Sequence, residues 1–227
     1  MTVLLGQQKR KEHPIEEESY VNRIKKAKIV NITPSVLAAP PYYEELQKDL
    51  KNRILDDRPS PDDVPPISLM YEGFGQFLDI FSGKTDVDGL PVNIFELQRA
   101  VDKFSQLMCQ FHPWEVNKRE AGLAALNRIF AARTDGQSFI LLPAAIGSTR
   151  TVGHCEIADG FAPVICEFKK WTPDTIPEVK VTGYFAQAFL RGVERSAEKN
   201  ELSRWRFPGL GITIVGMSWS LVHCIVS

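Results

Sequence analysis

The spacing of apolar residues along this chain changes character near Gly136. Before it, apolar positions recur every three or four residues, the period of a helix with one buried face. Leu46, Leu50 and Ile54 mark such a face within 42–56. A proline- and aspartate-rich stretch then ends the rhythm, because proline removes a donor and clashes with the preceding turn. The rhythm resumes over 68–81 and closes at Ser82-Gly83. It returns over 93–111, where Phe95, Ala100, Phe104, Leu107 and Met108 compose the expected core stripe, and again over 115–133. Residues 1–40 hold sparse apolar positions among the basic clusters QQKRKEH and NRIKKAKIV, and are expected to be a flexible, charged arm. The helical region therefore spans 41–135.

After Gly136 the runs shorten and alternate. GHCEIADGFAPVICEFKKW reads as two strands around an Asp159-Gly160 turn, a strong hairpin signal. Residues 183–199 return to a helical pattern, and GITIVG and SLVHCIVS follow as strands around a turn at Met217-Ser218. The predicted order is β-β-α-β-β over 136–227, appended to a helical first half: a mixed α/β chain.

The last 18 residues carry no formal charge. That length approaches a membrane span. Two internal glycines, three serines, a histidine and many β-branched residues favour two buried strands instead. A scaffold tethered by 210–227 remains the competing reading, and no membrane contact is the expectation.

Composition narrows the class. With 44% hydrophobic and 24% charged residues the chain is that of a globular protein, not a disordered or fibrous one. Lysine and arginine total 27 against 28 acids, which excludes a strongly basic nucleic-acid wrapper but not a local basic groove. Four scattered cysteines do not make a disulfide framework. The start of the chain has no cationic-then-apolar leader, so an intracellular setting, cytoplasmic or nuclear, is expected.

The candidate chemistry lies on VICEFK. Strand alternation puts Ile165, Glu167 and Lys169 on one face and Cys166 and Phe168 on the other, with Glu167 and Lys169 roughly 7 Å apart at their α-carbons. A carboxylate beside an ammonium suits phosphodiester hydrolysis: the acid holds a divalent cation, and the lysine stabilises the pentavalent charge. Mg²⁺ or Mn²⁺ needs a second acid. A regular hairpin is expected to set Glu156 and His154 opposite the Ile165 to Glu167 stretch, and Asp159 at the turn is the other choice. Glu178-Val179-Lys180 repeats the Glu-x-Lys letters without a long apolar approach and reads as a decoy.

The hairpin, the helix VTGYFAQAFLRGV and the strand FPGLGITIVG together resemble the restriction-endonuclease-like fold with its PD-(D/E)xK signature. More narrowly they are similar to nuclease-like domains of fungal and oomycete intracellular proteins of the Crinkler-effector and fungal kinase-associated type. The resemblance covers about 136–216, with the helix around 68–81 completing the core. It implies an endonuclease-like mixed sheet and Mg²⁺- or Mn²⁺-dependent hydrolysis of DNA. Glu167 and Lys169 match the second acid and the lysine, Glu156 or Asp159 the first acid, Glu72 an acid of the leading helix, and Gln187 a polar residue on the helix after the motif. A catalytically degenerate copy, acting as a nucleic-acid-binding or protein-interaction module, fits the same letters.

Other motifs carry less. Ser82-Gly83-Lys84-Thr85 echoes a phosphate loop, but Leu78 stands where that motif needs glycine. His154, Cys155, Cys166, His223 and Cys224 lack zinc-ligand spacing. Trp205 between Arg204 and Arg206 can stack on a base, but such a tryptophan more often plugs a core edge.

Overall fold

The computed structural model describes residues 22, 25–49, 53–54, 72–86, 89–136, 139–146, 149–157, 160–169, 174–196, 207–216 and 218–226. Asp159, the Trp205 cluster and Met217 lie outside them, as does the side chain of Glu72.

The chain first folds well before residue 40. A 3-10 turn at Lys28–Val30 leads to α1 (Pro34–Leu37), whose start is fixed by Thr33, the side chain accepting from the Val36 amide at 3.4 Å. Pro40 opens α2 (Pro40–Lys48), in keeping with the tolerance of helix first turns for proline. Within the segment expected to be a free arm, residues 25–40 are therefore structured. Leu37, Ala38 and Leu46 form a small core with Val179. The helix expected over 42–56 stops at Lys48, where Asp49 leaves helical geometry.

Next come α3 (Glu72–Phe81), α4 (Ile94–Cys109) and α5 (Glu115–Phe130). Asn93 caps α4 by accepting the Glu96 amide at 3.1 Å. The expected α4 stripe is only partly buried: Met108 is in the core and Phe104 and Leu107 pack against it, but Phe95 is 69% exposed. Phe95 belongs to the first turn of the helix, before α4 comes under its neighbours.

Two-stranded β1 (Ala145–Ile146) and β2 (Thr149–Arg150) precede the main sheet. That sheet comprises β3 (Gly153–Cys155), β4 (Val164–Lys169), β5 (Phe207–Val215) and β6 (Ser218–Val226), in that spatial order. β3 and β4 are antiparallel, β4 and β5 parallel, β5 and β6 antiparallel. The parallel pair needs a crossover, supplied by α6 (Pro177–Arg195). The main sheet and its crossover helix follow the expected order β-β-α-β-β, with the β1–β2 pair added ahead of it within 136–227, and the molecule is mixed α/β.

Alternation along β4 feeds two layers. Cys166 and Phe168, with Ile212 and Ile214 of β5, face Met108 of α4 and Leu123 and Leu126 of α5. Gly122 is required here, because a methyl group at that position would run into the Phe168 ring. On the other face, Ile165 packs with Val181, Tyr184, Phe185 and Ala188 of α6. The outer side of α6 is covered in turn by α1: a methyl on Gly183 would stand 3.0 Å from Leu37 and 3.2 Å from the Pro34 α-carbon. The helix lying on the sheet opposite α6 is thus α5; among the described residues, none of 68–81 joins that core cluster. Among the described residues, no helix is long and apolar enough to cross a membrane; 207–226 is a hairpin.

Candidate functional site

The carboxyl ends of parallel strands are where open α/β sheets gather chemistry. Here that end is Glu167 to Lys169. Register places Glu167 beside Thr213 of β5. The parity that buries Cys166 and Phe168 against α5 turns Glu167 toward α6, where its side chain is 1% exposed.

A carboxylate so placed needs partners, since an isolated buried charge is strongly unfavourable. Lys180, in the first turn of α6, donates to Glu167 Oε1 at 2.7 Å. Lys169 Nζ stands 3.8 Å from the same oxygen and 3.9 Å from Glu115 Oε1 at the start of α5. Both lysine side chains are nearly buried, at 11% and 13% exposure. Burial raises the Glu167 carboxyl above its ordinary range, and Lys180 and then Lys169 oppose that shift. Oε2 of Glu167 is buried with no hydrogen-bond partner among the described residues.

The surrounding shell is polar and closed. The Lys118 ammonium donates to the Gly216 and Lys169 carbonyls, tying α5 to the ends of β4 and β5; burial pushes its pKa down. Tyr184 lies under Lys180, its hydroxyl donating to the Arg150 carbonyl at 3.1 Å, and burial drives its phenol pKa up. Thr213 donates to Glu178 Oε1 at 3.1 Å, and Ser220 reaches the same oxygen at 3.2 Å. Cys166 is buried, its thiol pKa raised mainly by desolvation, the opposite of what a nucleophilic thiolate requires.

Of the expected residues, Glu167 and Lys169 meet here, while Glu156 and Gln187 lie elsewhere. Glu156 stands past the end of β3, because His154 pairs with Ile165 and Cys155 with Val164. Glu156 and Glu167 therefore extend in opposite directions from that pair, roughly 13 Å apart along the strands by their rise. The expectation that Glu156 faces the Ile165 to Glu167 stretch is corrected by this register. One step beyond the Gly153–Cys166 pair, the residue toward Glu167 is Val152. Glu156 meets Arg191 at 3.5 Å, Arg195 at 3.6 Å and His154 Nε2 at 3.7 Å. Gly160, at φ +84°, leaves room for those arginines to close over the turn.

Gln187 is seven residues beyond Lys180, about 10 Å along the helix. Its amide donates to the Ile32 carbonyl at 3.2 Å, under the N-terminal segment and away from Glu167. Glu72 opens α3 with its side chain outside the described residues, and Asp159 lies outside them as well.

A magnesium site at Glu167 would need more than this one carboxylate. Such a site wants several oxygens around one point. Here Lys180 and Lys169 both stand against Oε1 of Glu167, and a second carboxylate, Glu115, lies beyond Lys169. Among the described residues no group of three or more His, Cys, Asp or Glu side chains is arranged to hold a metal.

Sequence reasoning missed Glu115, Lys118 and Lys180. Glu178-Val179-Lys180, read as a decoy of the Glu-x-Lys motif, is in the first turn of α6. Pro177 followed by an acid was the available signal, since proline at the first helical position and an acid in the first turn mark a helix start. Comparison with protein families, with curated proteins and with solved structures returns no match.

Proposed function

We propose that this chain is an intracellular binding module of nuclease-like α/β order, in which the Glu-x-Lys pair is a structural charge network instead of a hydrolytic centre. The carrying observation is the Glu167 carboxylate, 1% exposed and held by Lys180 at 2.7 Å. The nuclease-like ancestry is supported by the β-β-α-β-β order with Glu-x-Lys on a central strand. A protein partner is favoured over DNA on three grounds. The cluster's lysines turn inward onto carboxylates and carbonyls. The chain's net charge is −1. Phe95, Phe111 and Trp114 stand exposed on and just after α4, and aromatic residues are enriched at protein interfaces.

A second reading, Mg²⁺- or Mn²⁺-dependent hydrolysis of DNA, is favoured by Oε2 of Glu167, which has no hydrogen-bond partner among the described residues, and by Glu115 across Lys169. One experiment separates the two: plasmid and single-stranded DNA incubated with the protein and Mg²⁺ or Mn²⁺, wild type beside Lys169→Ala. The module reading expects no metal-dependent cutting by folded wild type. Cutting that disappears in Lys169→Ala would establish the hydrolase.

A further inference from the structure

The two edges of the main sheet are treated differently. An edge strand offers a row of unpaired backbone donors and acceptors, which proteins usually guard with charge, proline, shortness or a covering segment. β3 is guarded twice. It is three residues long, and Leu142 pairs with His154 on its outer side, with hydrogen bonds of 2.9 and 3.0 Å. Among the described residues, β6 has none of these devices. It runs nine residues, SWSLVHCIV, with no acid, lysine, arginine or proline. Among the described residues no strand or backbone segment pairs with it on the side away from β5.

We infer that β6 is a self-association edge, pairing antiparallel with β6 of a second copy of this chain to join the two four-stranded sheets into one of eight strands. A two-fold axis makes such a contact isologous, so the strand must be complementary to itself. An uncharged strand meets that condition in any register, since no like charges come face to face across the seam. Two whole chains, each of net charge −1, also approach with little long-range repulsion. Because Leu142 closes the β3 edge, the assembly stops at two. This pairing is independent of whether the Glu167 cluster hydrolyses anything.

The test uses the full chain without substitution. Sedimentation velocity over about two decades of concentration is run beside hydrogen–deuterium exchange at both ends of that range. A monomer–dimer equilibrium is expected, with amides in 218–226 exchanging about tenfold more slowly where the dimer dominates, and those of β4 unchanged. A chain that stays monomeric, an assembly larger than a dimer, or a dimer whose 218–226 exchange ignores concentration would each overturn the inference.

Discussion

The two ends of β4 carry the same ingredients in different surroundings. At the far end Glu167 stands between Lys180 and Lys169; near the turn Glu156 stands between Arg191 and Arg195. Glu167 is 1% exposed and Glu156 38%. In water, ion pairs gain little, because solvent and salt screen them and long side chains lose freedom. Out of water, the pair is obligatory once one member is present, since removing the other strands a charge. Charge pattern alone does not distinguish a structural strut from a decorated surface; burial does.

The sharpest way to break that contrast is Lys180→Ala. It leaves Glu167 without its hydrogen-bonded cation, and the expected loss is about 3–5 kcal/mol in chemical denaturation. The double change Glu167→Leu with Lys180→Met should recover most of it, because an apolar pair of similar volume has no charge to desolvate. A double variant as unstable as the single would show that the damage comes from packing, not from charge.

Gly122→Ala is the next largest, at about 1–3 kcal/mol, because its methyl group must displace the Phe168 ring and the strand behind Glu167. Thermal denaturation followed by circular dichroism reads it. An unshifted midpoint would mean the ring can move freely.

Acid–base behaviour separates the two ends further. The folded Glu167 carboxyl titrates above its ordinary 4.5, so the folded state keeps a proton that the unfolded chain has released. Its contribution is therefore full below about 4.5 and declines as pH rises through the folded value. His154, beside Glu156, is shifted down from 6.5 by burial. The unfolded chain takes up that proton first, so stability falls as pH drops below 6.5 toward the folded value. His154→Gln should flatten the loss below 6.5, and Glu167→Gln should remove the decline above 4.5. Denaturation midpoints measured across pH 4–8 check both.

Glu156→Ala has the smallest expected effect, under about 1 kcal/mol and weaker still at high salt. A loss matching that of Lys180→Ala would erase the distinction between the two ends.

Much of this was legible in the letters. The change from helical to alternating period at Gly136 located the sheet, and the parity of VICEFK correctly separated Glu167 from Cys166 and Phe168. Counting outward from an Asp159-Gly160 turn also gives the observed Cys155–Val164 pair, so the register was within reach. The same count puts Glu156 beyond the Ile165 to Glu167 stretch. What the letters do not carry is the approach of segments distant in sequence. Lys180 meets Glu167 because α6 crosses over between parallel strands, and Glu115 meets Lys169 because α5 lies on the opposite face. Glu178-Val179-Lys180 repeats the letters of the strand motif, and the preceding proline is the sign that it opens a helix instead. The docking of 28–48 on α6 rests on Leu37, Ala38 and Leu46 with Ile29, Ile32, Tyr42 and Tyr43 packed against them, apolar residues that short helical turns and three prolines keep from falling into one helical period.

The central claim is that Glu167 is committed to lysine and not to a metal. Unfolding midpoints of wild type and Glu167→Gln, each with and without millimolar Mg²⁺, test it most directly. The account predicts no Mg²⁺-dependent rise in either protein. A rise in wild type that Glu167→Gln abolishes would contradict it, because a ligand stabilises only the folded state that binds it.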